Sequence, residues 1–311
     1  MIGNQFLEVP VKERGLFNMK LITTTGRLET HFGLKKAIDI LVEAGYDALD
    51  LSMFNNIKHY NGEYDKDFYL DIKKYAQSKG ISFMQAHAPF GSSFPNEEQT
   101  KQRFGEIVTS IKNASYLGVK IIVVHPCQHL QFHVQGNPEK LFEYNMDFYK
   151  KLIPYCEEYD IKVAVENMWQ MPHHTQIGHS TCSRPEEFIK YLDTLNNDSI
   201  VGCLDIGHTM LVSEEPDAFI RALGNKRLKC LHTHDVNVNQ DSHTLPFFGI
   251  IDWESVMKSL ADIDYQGELT YEADSFFDRE PLELHQDAAN FMAKTGRYLI
   301  SKFNEYRNNY R

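Results

Sequence analysis

Histidine, aspartate and glutamate recur in a series of short motifs, each at or just after the end of an apolar run. In chain order these are Gln85-Ala86-His87-Ala88-Pro89, Val124-His125-Pro126, Val165-Glu166-Asn167, Leu204-Asp205-Ile206-Gly207-His208, Leu231-His232-Thr233-His234-Asp235, Asp241-Ser242-His243 and Tyr271-Glu272. Imidazole and carboxylate are the side chains that ligate divalent cations and move protons near neutral pH. Gathering several carboxylates out of water is unfavourable unless a cation neutralises them. A mixed nitrogen and oxygen ligand set suits Zn, Mn, Fe or Co better than Ca or Mg. Metal binding is therefore the chemistry that these residue types imply. On its own, a His or Glu behind a strand is more often a capping or hydrogen-bonding residue. The weight lies in six consecutive runs each ending in a ligand-type residue.

Such a set is useful only if the chain brings it together. The apolar runs are Met19–Thr24, Ala48–Met53, Ile81–His87, Lys120–His125, Lys162–Glu166, Ile200–Asp205, Leu228–His234 and Glu268–Glu272. Amphipathic stretches follow them at Leu34–Ala44, Asp67–Lys79, Gln99–Leu117, Pro138–Tyr159, Pro185–Leu195, Pro216–Ala222, Trp253–Asp262 and Leu284–Phe303. Short continuous apolar runs suit strands buried on both faces of a parallel sheet. Gly45, Gly80 and Gly118 stand where helices need a left-handed cap before the next strand. Eight strand-helix units, with no glycine-rich phosphate loop behind an early strand, predict a closed (β/α)8 TIM barrel over residues 1–311, with 1–18 as an N-terminal extension, an extra strand or an arm across the barrel bottom. In a parallel barrel all strand ends open on one face, so these motifs are expected to converge.

Composition narrows the function. No stretch approaches the roughly 20 apolar residues of a membrane helix, and the first 20 residues carry charges without an apolar core behind them. The net charge of −11 has the wrong sign for a nucleic-acid footprint. Five scattered cysteines without a CxxC pair argue against a disulfide framework and for a reduced, cytoplasmic compartment. Cys203 and Cys230 read as buried small hydrophobes.

Other histidines carry less. His129 and His133, four apart, read as a solvated helix start, and His173, His174 and His179 as lid or surface residues near the mouth. His31, His59 and His285 read as surface. His234 is expected to point away from the side that His232 faces, supporting a ligand at most. Phe90, Trp169, Phe247 and Phe248 are candidates for an apolar wall or for packing.

The motifs His87-Ala88-Pro89, His125-Pro126, Val165-Glu166-Asn167, Asp205-Ile206-Gly207-His208, His232-Thr233-His234-Asp235, Asp241-Ser242-His243 and Glu272 together resemble the xylose isomerase-like barrel superfamily, from about Lys20 to Phe303. That group includes sugar and sugar-phosphate isomerases and epimerases, and endonuclease IV. The resemblance implies one divalent metal, Zn or Mn foremost, on Glu166, Asp205, His232 and Glu272. The nuclease branch adds a metal on His87, His125 and Glu166 and another on His208, Asp241 and His243, so up to three ions are implied. Pro246–Trp253 is similar to the loop and Gly-x-Ile-Asp-Trp helix start of the sugar isomerases, but departs from their Pro-Gly-x-Gly at Phe247 and Phe248.

The resemblance implies a metal-dependent sugar or sugar-phosphate isomerase or epimerase. Proton transfer between Glu166 and Glu272 would pass through a metal-stabilised enediolate, with His208 holding a substrate oxygen. No further cofactor and no nucleic-acid or membrane partner is expected, and a homo-oligomer is compatible with the group. The competing readings are an endonuclease IV-like zinc phosphodiesterase, against which stands the lack of an arginine-bearing DNA-insertion loop, and a non-catalytic barrel that binds a sugar or metal, which would not need both glutamates.

Overall fold

A computed structural model of the chain describes residues 17–54, 56–128, 137–173, 176–278 and 280–309. The expected alternation is present. The barrel strands are β1 (Leu21–Thr24), β2 (Ala48–Ser52), β3 (Phe83–His87), β4 (Ile121–Val124), β5 (Lys162–Glu166), β8 (Ile200–Asp205), β9 (Leu228–His232) and β12 (Leu269–Tyr271). They pair in parallel in the order β12-β1-β2-β3-β4-β5-β8-β9. The ring closes where Thr233 N donates to Thr270 O at 2.8 Å and Glu272 N to Thr233 O at 3.2 Å. The structure is a TIM barrel.

The helices are α1 (Gly26–Phe32), α2 (Leu34–Ala44), α3 (Lys66–Ser78), α4 (Glu97–Leu117), α5 (Pro138–Tyr159), α6 (Pro185–Leu195), α7 (Ile206–Leu211), α8 (Pro216–Arg227), α9 (Trp253–Asp262) and α10 (His285–Asn308). Local chemistry fixes many of their ends. Asp65 and Asn96 accept the Phe68 and Gln99 amides at 2.9 and 3.0 Å, satisfying first-turn donors of α3 and α4. Proline opens α5, α6 and α8. Gly45 and Gly118 close α2 and α4 with φ of 89° and 90°, a conformation that costs any residue with a Cβ. Among the described residues no helix is long and apolar enough to cross a membrane. All five cysteines are buried and free.

Two expectations change. α1, the short α7 and two antiparallel hairpins were not marked by the sequence pattern; the hairpins are β6 (Trp169–His173) with β7 (Gln176–His179), and β10 (Asp235–Asn237) with β11 (Gln240–Thr244). His59 and His285 are buried, not surface. His59 lies between Tyr69 OH at 3.0 Å and Glu29 Oε1 at 2.9 Å, and His285 receives ring contacts from Phe32 and Phe277. Each polar ring is made tolerable by partners that sequence spacing does not reveal. Of the N-terminal extension, 1–16 lie outside the described residues, and Phe17 packs edge-on against Phe303 of α10.

The β10–β11 hairpin and the loop behind it hang on one carboxylate. Asp235, fully buried, accepts the amides of Val236, Phe247 and Ile251 at 2.9, 3.0 and 3.2 Å and the Trp253 indole N–H at 2.8 Å. Gly249 is required because a Cβ there would overlap that carboxylate and the Val236 carbonyl. Asp235→Ala leaves four donors without an acceptor, at a cost of about 3 kcal/mol or more. In a protein of this size the melting temperature should fall by roughly 5–10 °C. An unchanged thermal midpoint would contradict the role given to Asp235.

Candidate metal centre at the barrel mouth

The strand ends bring the ligand-type residues together in overlapping groups whose ligand atoms lie within 4.8 Å of one another. One is Glu166, Asp205, His232 and Glu272; a second is His87, His125 and Glu166; a third is His208, His234, Asp241 and His243. His87 also groups with His232 and Glu272. All nine residues expected as ligands are therefore brought together, with Glu166 shared between two groups, and His234 joins them.

The geometry follows from how each ring is tethered. His87 Nδ1 faces the Ala88 carbonyl at 2.7 Å, His208 Nδ1 the Asn167 carbonyl at 2.8 Å and His243 Nδ1 the Glu272 carbonyl at 2.9 Å. A carbonyl only accepts, so Nδ1 carries a proton and Nε2 is the nitrogen turned toward the cluster, the arrangement typical of ligating histidines. His87 Nε2 and His125 Nε2 point at one another across 3.1 Å, and Glu166 Oε2 lies 3.0 Å from His125 Nε2. His208 Nε2 and His243 Nε2 stand 3.6 and 3.2 Å from Asp241 Oδ2.

Asn167, next to Glu166, ties β5 to β8. It donates to the Asp205 carbonyl at 3.0 Å and accepts the Asp205 amide at 2.7 Å. Asp205 accepts the His208 amide at 2.7 Å, which starts α7 and aims His208 inward. Both Asp205 oxygens lie within 3.0 Å of His234 Nε2. The His234 ring stacks on that of His243 at 4.0 Å, and a Cβ on Gly207 would overlap it. The expectation that His234 points away is thus overturned. Positions two apart in a strand share a face, and Thr233 still bonds to the neighbouring strand beyond His232, so His234 comes to the side of His232 and meets Asp205.

Electrostatics describe a cluster that wants a cation. Burial alone would push the Glu166 carboxyl upward, but the imidazoles of His232 and His125 overcome it and hold it well below the usual range. Asp205, also buried, is held down by His208 and His234. Burial works against a charged His208, yet Asp205 and Asp241 raise it to about 10. His232 and His243 are raised well above the ordinary value by the surrounding carboxylates against the same burial. With no ion the carboxylates are balanced by protons on histidines, positions that a divalent cation can take over. Glu166 Oε2, His232 Nε2 and Asp241 Oδ1 are buried without a hydrogen-bond partner. Unmade bonds on the acceptors and the donor set together fit a transition-type ion.

Above the ligands opens a cavity of about 510 Å³. Its apolar wall is Phe54, Phe90 and Trp169. Phe54 and Phe90 meet edge to face at 5.3 Å, and the Trp169 indole N–H donates to Asp241 Oδ2 at 2.9 Å. Phe247 and Phe248 are not in it; they lie exposed, against Tyr298 and Phe291 of α10. Arg27 also lines the cavity, its Nε 3.0 Å from Asp278. Burial pushes the neighbouring Asp274 carboxyl up to about 6. Arg27, Phe54, Asp274 and the buried Asp50 were not singled out from the sequence, since none stands in a motif. His179 is half-buried against Ser183 at 3.0 Å. His129, His133 and His174 lie outside the described residues.

Comparison with known proteins agrees with this architecture. The sequence matches the profile of the xylose isomerase-like TIM barrel family over residues 38–295. It is 24% identical over 224 residues to an inosose dehydratase of Clostridium beijerinckii, covering 66% of this chain and 74% of that protein. Over 179 residues it is 24% identical to a probable endonuclease 4 of Metamycoplasma arthritidis, covering 55% of this chain and 61% of that protein. Among solved structures, a D-tagatose 3-epimerase-like protein superposes with a TM-score of 0.72 at 18% identity, covering 94% of this chain and 99% of the other. The IolI protein with a bound zinc atom gives 0.72 at 19% identity, covering 93% and 99%. The chain belongs to the xylose isomerase-like TIM barrel family.

Proposed function

We propose that the chain is a metal-dependent isomerase or epimerase of a small sugar. The observation that carries this is the convergence of Glu166, Asp205, His232 and Glu272 into one ligand group beneath an aromatic-walled cavity of about 510 Å³. A cavity of that size suits a monosaccharide-sized ligand. The epimerase and IolI neighbours are in keeping with it, as relatives in fold.

Glu166, Asp205, His232 and Glu272 would hold the ion, with Zn or Mn suited to their mixed donors. Bound there, a divalent cation supplies the positive charge that stabilises negative charge developing on the sugar's adjacent oxygens. The chain's own residues do the rest. The Glu272 side chain is partly open while Glu166 is fully buried, and His232 Nδ1 stands 3.2 Å from an oxygen of each. Glu272 takes the proton from the carbon next to the carbonyl and Glu166 returns one, giving enediolate chemistry between the two carboxylates. His208, with Nδ1 held by the Asn167 carbonyl, presents Nε2 to a substrate oxygen. Phe54, Phe90 and Trp169 stack on the sugar's C–H faces and exclude water.

One specific observation favours a second reading. All nine positions of a three-ion site are filled and grouped, the pattern of an endonuclease IV-like phosphodiesterase. Against it stand the net charge of −11 and a cavity whose arginine is already paired with Asp278.

Two measurements decide. Protein purified without chelator or added metal should carry close to one Mn, Co or Zn ion per chain by elemental analysis. Close to three zinc ions, with cleavage of abasic duplex DNA, would favour the phosphodiesterase instead. Metal-loaded protein incubated with ketoses and aldoses in D2O should incorporate deuterium beside the carbonyl of at least one sugar, read by NMR. Sugar binding without exchange or DNA cleavage would point to a non-catalytic barrel.

For a sugar that exchanges, Glu272→Gln should lower the exchange rate by about 10² to 10⁴ while leaving the circular dichroism spectrum unchanged. Full exchange in that variant removes Glu272 from the mechanism.

A further inference from the structure

The outward face of α10 carries aromatic rings where a solvated helix carries charge. Asp287, Phe291, Lys294, Tyr298 and Lys302 fall within an arc of about 80° around the helix axis. Gly296 stands on the opposite side, so close to Leu21 of β1 that a Cβ would overlap it, which fixes the face that looks outward. Phe291 is 47% exposed and Tyr298 52%. A helix packed on a barrel normally turns polar residues to solvent.

Two loop rings extend this surface. Phe248 meets Phe291 at 6.2 Å and Phe247 meets Tyr298 at 5.9 Å, and each loop ring is 53% exposed. Their position is imposed by the backbone. Phe247 adopts a φ of 76°, costly for a bulky side chain, and Asp235 holds its amide there at 3.0 Å. Four half-exposed aromatic rings leave on the order of 400 Å² of apolar surface. On a soluble chain a patch of that scale marks a contact site.

The order of the residues identifies the partner. About a point midway between Lys294 and Thr295 the stripe is its own complement: Phe291 and Tyr298 are equidistant from it, and so are Asp287 and Lys302. Two copies of α10 laid antiparallel about that point place Phe291 of one protomer on Tyr298 of the other. They also place Asp287 of one beside Lys302 of the other. Each pairing occurs twice, the reciprocity of an isologous contact. Lys302 Nζ lies 3.0 Å from Glu305, a surface pair worth little and readily exchanged.

We propose that α10 and the Phe247–Phe248 loop form a two-fold interface with a second copy of this chain. The rings make its apolar centre and the Asp287–Lys302 pairs its rim, the usual division of a protein interface. A standard contact takes roughly 800 Å² from each partner; the rings supply about half of that, and flanking polar side chains the rest. The chain's net charge of −11 opposes association at a distance, but the stripe itself holds two lysines to one aspartate. The two Lys294 lie nearest the axis, where their long stems run outward to solvent.

Light scattering on the full chain at micromolar concentration should give the mass of two chains, or a multiple of two. Phe291→Ser combined with Tyr298→Ser should halve that mass and leave the circular dichroism spectrum unchanged. Asp287→Lys and Lys302→Glu should each raise the dissociation constant about tenfold, and the two together should restore it. Cross-linking reads the register, the five native cysteines being buried. Under oxidation with diamide, Lys294→Cys should link two chains. Asp287→Cys should not, since its two copies lie about 22 Å apart along the axes.

Wild-type protein with the mass of one chain would overturn the interface. So would a dimer that survives the loss of both rings, because the contact would then lie elsewhere. A double charge reversal that fails to restore association, or a chain that links through Asp287→Cys and not through Lys294→Cys, overturns the pairing about the Lys294–Thr295 point. The interface stands apart from the metal centre, and neither reading depends on the other.

Discussion

A barrel of parallel strands must end all its strands on one face, and this chain uses that face to gather more carboxylate and imidazole than its own dielectric can tolerate. Glu166, Asp205 and His232 are wholly buried at neighbouring strand ends. Coulomb energy between such groups at 3–4 Å is too large to leave unbalanced in a dry interior. Without an ion the balance comes from protons on His208, His232 and His243, which are held charged by the carboxylates around them. The rest of the mouth, from the tethered Nδ1 atoms to the Asn167 bridge, keeps these ligands apart and aimed. Folding and site are coupled through this constraint: the same residues that would be costly alone form groups whose charge a cation can neutralise.

Backbone carbonyls do much of the aiming. Ala88, Asn167 and Glu272 each offer a carbonyl to an outer ring nitrogen, and each lies on or beside a strand end whose register is fixed by the sheet. A tether of this kind carries no side-chain signature. It is a by-product of where the strand stops, so a ligand and its support are specified by one local conformation. Asp205 shows the economy further: it is a ligand candidate, it caps α7, and it receives His234.

The repeating strand-helix units and the ligand-type residues gathered at their ends were legible in the sequence, because period, capping and strand-end chemistry are local. Pro138–Tyr159, Pro185–Leu195 and Trp253–Asp262 even keep their expected bounds. What stayed hidden depends on contacts distant in the chain. His59 and His285 read as surface because nothing nearby announces Glu29 or the Phe277 and Glu280 carbonyls that receive them. Phe247 and Phe248 were ambiguous because a loop's path off the mouth is set by Asp235 and Gly249, not by the apolar residues themselves. Asp50 was lost inside an apolar run, where a single carboxylate looks like noise until its unmatched oxygen is seen.

The three ligand groups are not equally rigid in construction. Glu166 and His232 sit on barrel strands and Asp205 at the end of one, each with no exposure. Asp241 and His243 are half-buried on β11, in a two-stranded hairpin outside the barrel sheet, and His243 adopts a left-handed φ of 39°. That hairpin is held by Asp235 from behind and by the Trp169–Asp241 hydrogen bond from the side. A ligand group on such a hairpin can be altered without disturbing a single barrel strand, whereas the group around Glu166 cannot. The barrel therefore separates candidate ligands fixed on its own strands from candidate ligands carried by the hairpin.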